Sequence, residues 1–226
     1  MTNTKLLSFS LIASACTFSS PATVLFDFDS VPGQGSPTTQ AGWTTAPSGN
    51  GTDGTVTVAT TAIGSVTVDG RTRGDNGGGA EAAMWGDFVF ANGSFSSNPG
   101  SGLSISITGL MPSTTYPIII WGWDDSSNPN PTGVNRSADW SGGGGSGTLT
   151  FPGGPDPTSL SDYNVSFDAT TDATGALTLT GVVAASSPSA SHNVFINGLE
   201  IGDAIPEPSS ALFGLLGFGF LAFRRR

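Results

Sequence analysis

The feature that most limits the fold of this chain is a series of short runs in which apolar and polar residues alternate. Alternation with a period of two is typical of β-strands that bury one face. Glycine- and proline-rich turns separate the runs, and outside the two termini no stretch of ten or more residues has helical periodicity. These runs predict an all-β fold of the β-sandwich type. The ten predicted strands are residues 23–28, 55–59, 65–69, 88–91, 103–108, 116–123, 147–151, 163–168, 176–180 and 193–201.

One tyrosine lies where Greek-key sandwiches use such a residue to join their two sheets. The motif Leu110-x-Pro112-x-Thr114-x-Tyr116 follows the run at 103–108 and leads into the most hydrophobic run of the domain. In a tyrosine corner the hydroxyl bonds back to the backbone upstream, so we expect Tyr116 to fix a crossover between sheets. Fibronectin type III domains are similar here, but one such domain of about 100 residues would leave half of this chain unexplained.

Four further segments extend the strand pattern over most of residues 23–203. They are residues 24–29, 39–43, 87–90 and 195–201. Together they resemble exported bacterial jelly rolls of the galactose-binding-like type. The resemblance implies a jelly-roll-type β-sandwich over residues 23–203, with an N-terminal signal helix before it and a short C-terminal hydrophobic helix after it.

The first 22 residues have the parts of a secretory signal peptide. Lys5 supplies a positive charge, residues 6–15 are apolar, and Ser20-Pro21-Ala22 offers a small-residue cleavage site before Thr23. A lipoprotein signal is the alternative, because Ala13-Ser14-Ala15-Cys16 roughly matches a lipobox. Cys16 is the single cysteine of the chain. Cleavage before Thr23 would therefore leave a domain that its core alone must stabilise.

The final segment has a short apolar stretch between two distinctive ends. Pro206, Glu207 and Pro208 come first, followed by 13 uncharged, mostly apolar residues from Ala211 to Phe223, and then by Arg224, Arg225 and Arg226. A helix over the apolar part would be about 20 Å long, which is shorter than the ~30 Å hydrocarbon core of a bilayer. The arginines favour the cytoplasmic side and place the preceding chain outside the membrane.

This arrangement resembles the PEP-CTERM sorting signal of Gram-negative bacteria. The resemblance implies that a membrane-embedded exosortase recognises and processes residues 204–226. It also implies an exported protein that passes through an intermediate anchored in the inner membrane and then reaches the cell surface or the extracellular space. A plain C-terminal anchor that no enzyme processes is the alternative.

The predicted domain is strongly acidic. Residues 23–204 contain three arginines, no lysine and 16 acidic residues, a formal net charge of −13. Such a surface repels nucleic acid and anionic lipid, because binding to them depends on neutralising phosphates. It attracts divalent cations and favours solubility through self-repulsion.

The residues that could carry catalysis are scarce. His192 is the single histidine, and the domain contains no Gly-x-Ser-x-Gly pattern that would supply a nucleophile for it. Asp124 and Asp125 are adjacent, so on a strand they would point to opposite faces and could not flank one bond. We therefore expect a protein that is not an enzyme, with a small unrecognised hydrolase as an alternative.

Calcium is the metal that this composition favours. It takes six to eight oxygen ligands, and Asp27, Asp29 and Glu200 lie on or beside the first and last predicted strands, which are often neighbours in jelly rolls. Asp53 and Asp75 lie in glycine-rich loops. We expect no catalytic cofactor, while the resemblance to galactose-binding-like domains allows a structural calcium.

Carbohydrate binding is the sharpest functional hypothesis. Trp121 and Trp123 are two residues apart and share one face of a strand, where they could stack on sugar rings, with Asp124 and Asn128 nearby to hold hydroxyl groups. Three further candidates follow in sequence, namely Arg136, Asp139 and Trp140. Ile119 lies on the same face, however, and this pattern is also typical of a strand that faces the core.

Together these observations predict an exported protein of the cell surface or extracellular matrix with a structural or adhesive role. That role follows from the resemblance of the C-terminal segment. The alternative is a carbohydrate-binding module, calcium-dependent or not, whose partner would be extracellular polysaccharide.

Overall fold

The structure is a computed structural model of the 226-residue chain. It describes residues 22–29, 38–46, 50–72, 82–93, 100–124, 136–151, 156–185, 187 and 194–206. The predicted signal peptide before Ala22 and the apolar and arginine residues at 211–226 lie outside the described residues. So do Asp75, Asp125, Asn128, His192, Glu207 and Pro208, which are also named above.

Strands dominate the part of the chain that the structure describes, and the one helix there is short. In chain order the elements are β1 (Val24–Asp27), β2 (Thr44–Thr45), β3 (Asn50–Asp53), β4 (Val56–Ile63), β5 (Thr67–Thr72), α1 (Ala82–Gly86), β6 (Asp87–Asn92), β7 (Gly102–Thr108), β8 (Thr115–Trp121), β9 (Arg136–Gly142), β10 (Gly145–Phe151), β11 (Asn164–Thr170), β12 (Leu177–Val183), β13 (Phe195–Ile196) and β14 (Gly198–Ile201). All ten predicted strands correspond to observed strands, which confirms the all-β fold class.

The strands form three sheets. A five-stranded sheet has the order β11-β8-β14-β1-β2, a six-stranded sheet has the order β10-β9-β12-β7-β4-β3, and a three-stranded sheet has the order β13-β6-β5. β1 and β14 pair antiparallel, with Val24 opposite Ile201 and Asp27 opposite Gly198. The first and last strands are therefore neighbours, as the sequence predicted.

The main core lies between the five-stranded and six-stranded sheets. Ile118 and Ile120 of β8 belong to the same buried cluster as Ile105 and Ile107 of β7, and all four side chains are fully buried. Because side chains alternate between the two faces of a strand, these residues face the core between the sheets, while their neighbours in sequence face the opposite side of their own sheet. The packing of these two sheets confirms the β-sandwich.

A second, aromatic cluster covers the other face of the five-stranded sheet. Its buried members come from α1, β6, β8 and β13 and from the residues just after β8, and they are Met84, Trp85, Phe88, Phe90, Trp121, Trp123 and Phe195. Ile119, on the same face of β8 as Trp121, packs against this cluster. β8 is therefore buried on both faces, which accounts for its nearly continuous hydrophobic sequence.

The predicted tyrosine corner is present. The backbone N–H of Met111 donates to Tyr116 Oη at 3.0 Å, and the Tyr116 side chain is fully buried. β7 belongs to the six-stranded sheet and β8 to the five-stranded sheet. The hydroxyl therefore fixes the crossover between the two sheets, as expected.

The observed strands differ from the prediction in two ways. β2, β3 and β9 are not among the predicted strands, and β9 forms a hairpin with β10 in which Gly142 lies opposite Gly145 and Gly143 and Gly144 have positive φ. Two central residues with positive φ are typical of a tight type I′ hairpin turn. The last predicted strand is interrupted at Asn197, so β13 pairs with β6 while β14 joins the five-stranded sheet.

Candidate functional site

Three aspartates come together where β1 and β6 meet the 38–40 segment. Asp27 ends β1, Asp29 follows two residues later, and Asp87 begins β6. Their side chains are buried, with 0%, 4% and 1% of the residue exposed respectively. We call Asp27, Asp29 and Asp87 the aspartate cluster.

Consecutive residues of the 38–40 segment hold one carboxylate each. The N–H of Thr38 donates to Asp87 Oδ2 at 2.9 Å, the Thr39 hydroxyl donates to Asp29 Oδ2 at 2.9 Å, and the N–H of Gln40 donates to Asp27 Oδ2 at 2.6 Å. The segment therefore ties the end of β1 to the start of β6.

The remaining oxygen of each carboxylate, Oδ1, is buried and has no hydrogen-bond partner. Burial raises the pKa of Asp27 to about 8, against the lowering effect of the Gln40 N–H, and the charges of Asp29 and Asp87 raise this pKa further. Burial likewise raises the pKa values of Asp29 and Asp87. The cluster therefore holds less negative charge than three ordinary aspartates, unless a cation offsets it.

Asn197 attaches this cluster to the aromatic cluster. Its side-chain Nδ2 donates to the carbonyl of Asp87 at 2.8 Å, and its Oδ1 accepts from the N–H of Trp123 at 2.7 Å. Its own N–H donates to the carbonyl of Trp121, and its carbonyl accepts from the N–H of Phe28. One buried amide side chain therefore positions both the aspartate cluster and the end of β8, a role that sequence reasoning missed.

The aspartate cluster contains two of the three predicted calcium ligands. Asp27 and Asp29 lie together, but Glu200 is paired by register with Leu25 and Ile119, and the third carboxylate of the cluster is Asp87 instead. Glu200 is half-buried, and this burial raises its pKa. Within the described ranges, no three side chains of histidine, cysteine, aspartate or glutamate are already grouped as a metal site.

The predicted sugar-binding tryptophans are packing residues in this structure. Trp121 is 2% exposed and Trp123 is 1% exposed. The Trp121 Nε1–H donates to the carbonyl of Leu160 at 2.8 Å, and the Trp123 ring is stacked on Tyr163 with 6.4 Å between centroids. Both rings belong to the aromatic cluster, and among the described residues that cluster buries them.

Asp124 and Arg136 form a buried ion pair beside the aromatic cluster. Arg136 Nη1 lies 3.2 Å from Asp124 Oδ2, and the two side chains are 5% and 1% exposed. The guanidinium also lies over the Phe195 ring, with Cζ 5.2 Å from the ring centroid. Asp124 therefore binds a cation of its own chain.

The other two candidates lie in the six-stranded sheet. Trp140 is fully buried in the main core, and Asp139 is exposed on the outer face of that sheet.

Hydroxyl groups dominate the outer face of the six-stranded sheet. Some pair across strands, such as Ser137 with Thr150 at 2.9 Å and Ser141 with Thr180 at 3.1 Å. The outward-facing serines and threonines are Thr52, Thr57, Thr61, Ser104, Ser106, Thr108, Ser137, Ser141, Ser146, Thr148, Thr150, Thr178 and Thr180. We call this surface the hydroxyl face.

The strand register gives the domain two distinct ends. Val24 lies opposite Ile201, and Thr115 forms a bridge with Ile205, so both described chain termini lie at the end where β8 begins. Asp27 lies opposite Gly198, which in turn lies opposite Trp121 at the other end of β8. The aspartate cluster is therefore at the far end of the five-stranded sheet, about 20 Å away at ~3.4 Å per residue.

Comparison with known protein families identifies the segment that follows the domain at the end where β8 begins. Residues 204–226 match the family described as the PEP-CTERM protein-sorting motif. The chain carries a PEP-CTERM sorting signal. This match confirms the recognition made from Pro206, Glu207 and Pro208 and from the terminal arginines. Among the described residues, which include only 204–206 of the PEP-CTERM segment, no helix is long and apolar enough to cross a membrane.

Two further comparisons concern the rest of the chain. No curated protein sequence matches it. Among solved structures, it is similar to the extracellular domain of ANXUR1 from Arabidopsis thaliana, with a TM-score of 0.44 and 13% sequence identity. The similarity covers 83% of this chain and 49% of that structure, so the chain spans about half the length of ANXUR1's extracellular domain.

Proposed function

We propose that this PEP-CTERM protein is a non-enzymatic structural or adhesive component of the cell surface or extracellular matrix. The sorting motif indicates export through an exosortase pathway, and it begins where the sheet ends. The observation that carries the proposal is the direct junction between the β-sandwich and the sorting motif, which begins just after the last strand. The junction lies at the end of the sandwich where β8 begins, and the aspartate cluster lies at the opposite end.

The backbone that leads into the Pro206-Glu207-Pro208 triplet is hydrogen-bonded to the five-stranded sheet. The N–H of Gly202 donates to the carbonyl of Pro117 at 2.9 Å, and the N–H of Ile205 donates to the carbonyl of Thr115 at 2.8 Å. Pro206 follows at once. The Pro206-Glu207-Pro208 triplet therefore begins one residue after Ile205, whose backbone the sheet holds by a hydrogen bond.

The surface chemistry supports a role in the hydrated matrix. The domain contains no lysine and has a formal net charge of −13 over residues 23–204. The hydroxyl face offers many neutral donors and acceptors on a broad sheet, with Asp139 as a charged residue among them. Neutral hydroxyl groups can exchange hydrogen bonds with polysaccharide or with a second protein surface while the net charge prevents uncontrolled association.

Sorting can be tested by fractionation of a Gram-negative host that has an exosortase-type enzyme. The full chain, epitope-tagged between Thr23 and Val24, is compared with a variant in which Pro206, Glu207 and Pro208 are replaced by alanine. We expect the full chain at the cell surface or in the medium. The alanine variant, or the full chain in an exosortase-deficient host, should remain in the inner membrane. Identical distributions in all three cases would contradict the sorting step.

The structural or adhesive role needs a separate measurement. Cells that lack the protein should lose matrix cohesion or surface attachment, and the full chain should restore it. A variant with Ser106, Thr178 and Thr180 replaced by alanine tests the hydroxyl face, because these side chains are outside the core. Restoration by this variant at full strength would contradict a role for the hydroxyl face, and unchanged cohesion without the protein would contradict the structural role itself.

A further inference from the structure

We propose that residues 197–205 form a mechanical clamp that carries pulling force from the sorting segment into the β-sandwich. We call residues 197–205 the C-terminal clamp. The inference deepens the proposed surface role and rests on it, because force reaches the domain only where the sorting segment and the matrix hold it at different points. It assigns the resistance to such force to β14, to the residues after it and to Asn197 before it.

The direction of the chain decides how force would act on the clamp. β14 begins at Gly198, which lies opposite Trp121, the last residue of β8. The chain then continues to Ile205, which bridges Thr115, the first residue of β8. When the domain is held at the opposite end, a pull at Pro206 therefore acts along β14. Hydrogen bonds between antiparallel strands are perpendicular to the strands, so such a pull strains all of them together.

The clamp is bonded to neighbours on both sides. β14 pairs with β1 on one side and with β8 on the other, through four residues in each case. Beyond β14, the N–H groups of Gly202 and Ile205 donate to carbonyls of β8 at 2.9 and 2.8 Å. The strand therefore cannot move along its own axis without breaking bonds to two neighbouring strands at the same time.

The side chains of β14 oppose sliding as well. Leu199 and Ile201 are buried in the main core, while Glu200 between them is half-buried and faces the other side of the sheet. A slip by one residue would exchange the two faces and drive Glu200 into the core. The shortest slip that keeps the pattern is two residues, or about 7 Å at ~3.4 Å per residue. The register therefore has to be lost before it can form again.

Asn197 fixes the end of the clamp that lies farthest from the pull. Its N–H donates to the carbonyl of Trp121 at 2.9 Å, and its carbonyl accepts from the N–H of Phe28 at 2.7 Å. Its fully buried side chain bonds to the carbonyl of Asp87 and to the N–H of Trp123. Moving Asn197 would leave these buried groups without partners, which is costly. Asn197 therefore ties the clamp to β6 in addition to β1 and β8.

The positions of the described termini provide a comparison within the same domain. Val24 lies opposite Ile201, at the end where β8 begins. A pull between Thr23 and Pro206 would therefore separate β1 from β14 across the strands, starting with this pair. In that geometry the hydrogen bonds open one after another, because each carries the load only when its turn comes. We expect the domain to resist force along β14 and to yield to force across it.

The test is single-molecule force spectroscopy on the full chain in mild detergent. One handle is fused after Arg226, and the other is attached to an introduced cysteine in a chain whose single native cysteine is removed by Cys16→Ser. Ser161→Cys attaches the second handle just before β11, at the end opposite the junction, and Thr23→Cys attaches it at the same end as the junction. Both positions are exposed.

We expect the domain to unfold at a roughly twofold or higher force in the Ser161→Cys chain than in the Thr23→Cys chain at the same loading rate, because only the first geometry loads the bonds of β14 together. Residues 207–226 lie between the handle and the clamp in both chains, so they do not distinguish the two measurements. Equal forces in the two chains would overturn the proposal. This comparison requires no substitution in the clamp.

A substitution at Asn197 separates force-bearing from general stability. Asn197→Ala should lower the unfolding force in the Ser161→Cys chain and leave it nearly unchanged in the Thr23→Cys chain, where separation begins at the other end of β14. Asn92→Ala is the matched control, because it removes an exposed amide that bonds to Asp69 and lies outside the clamp. An equal loss of force in both geometries would show that Asn197 contributes only general stability and would overturn its role in the clamp. The cohesion measurement tests the surface role separately, so the two proposals can fail independently.

Discussion

Replacing Tyr116 with phenylalanine tests how strongly the tyrosine corner holds the two sheets together. The substitution removes a hydroxyl and keeps the ring, which is fully buried in the main core. The N–H of Met111 then loses its acceptor, 3.0 Å away in the native chain. A buried or half-buried donor left without a partner costs about 1–3 kcal/mol. For a domain of this size that corresponds to a fall in Tm of roughly 2–10 °C.

A second substitution in the same corner should have a larger effect. The Thr171 hydroxyl accepts from the N–H of Thr114 at 3.0 Å and donates to the carbonyl of Met111 at 2.7 Å. Thr171→Val keeps the side-chain shape but removes both bonds, so we expect a loss of about 2–4 kcal/mol. Because Tyr116 and Thr171 both bind the backbone of Met111, the double variant should lose less than the sum of the two single losses.

The assay is thermal unfolding of the full chain in mild detergent, followed by circular dichroism. Thr108→Val is the matched control, because Thr108 is exposed on the hydroxyl face and its substitution should change stability by no more than about 0.5 kcal/mol. A Tyr116→Phe variant with the same Tm as Thr108→Val would refute the reasoning. Strict additivity of the Tyr116 and Thr171 substitutions would show that the two hydroxyls act independently.

Three further predictions concern the buried ion pair, the aspartate cluster and one close contact in the core. Arg136→Met should cost about 3–5 kcal/mol because it removes the guanidinium from a buried carboxylate, and adding Asp124→Asn should recover part of that loss, as measured by urea unfolding. In chelator, the folded chain retains a proton on Asp27 between its ordinary pKa of 3.8 and about 8, whereas the unfolded chain loses it. Stability should therefore fall as pH rises from 5 to 9, by up to roughly 4 kcal/mol at ~1.36 kcal/mol per pKa unit, and Asp27→Asn should flatten the profile. Gly181→Ala should destabilise the fold by about 1–3 kcal/mol or more, because a Cβ there would lie 2.7 Å from the Trp140 ring; a Tm equal to that of the wild type would contradict this packing.

Alternation predicted the strands well where one face is apolar and failed where inward positions are small or charged. β9 was missed because its inward side chains are Arg136, Ala138 and Trp140, and only the last is a strong hydrophobic signal. Arg136 is an unusual inward residue whose burial depends on Asp124 and the Phe195 ring. Such partners come from other parts of the chain, so the local pattern could not indicate them.

In the candidate site, too, the local sequence pattern predicted some residues and failed for those whose partners are distant in sequence. The sequence pattern indicates Asp27 and Asp29 because they end or follow an apolar first strand, but it indicates Asp87 only as part of the segment 87–90. The local signal was similar in both places, namely an aspartate beside phenylalanine at the edge of an apolar run. Trp121 and Trp123 both belong to the aromatic cluster. Their burial beneath α1 and β6 depends on contacts that no local spacing encodes.

The hydrogen bonds that hold Ile205 have a consequence for the timing of maturation. The PEP-CTERM motif implies processing by an exosortase-type enzyme, and the residues just before Pro206 are hydrogen-bonded to Thr115 and Pro117 of β8. Access of such an enzyme to this part of the motif therefore depends on whether the edge of the sheet has formed, which couples processing to folding of the domain.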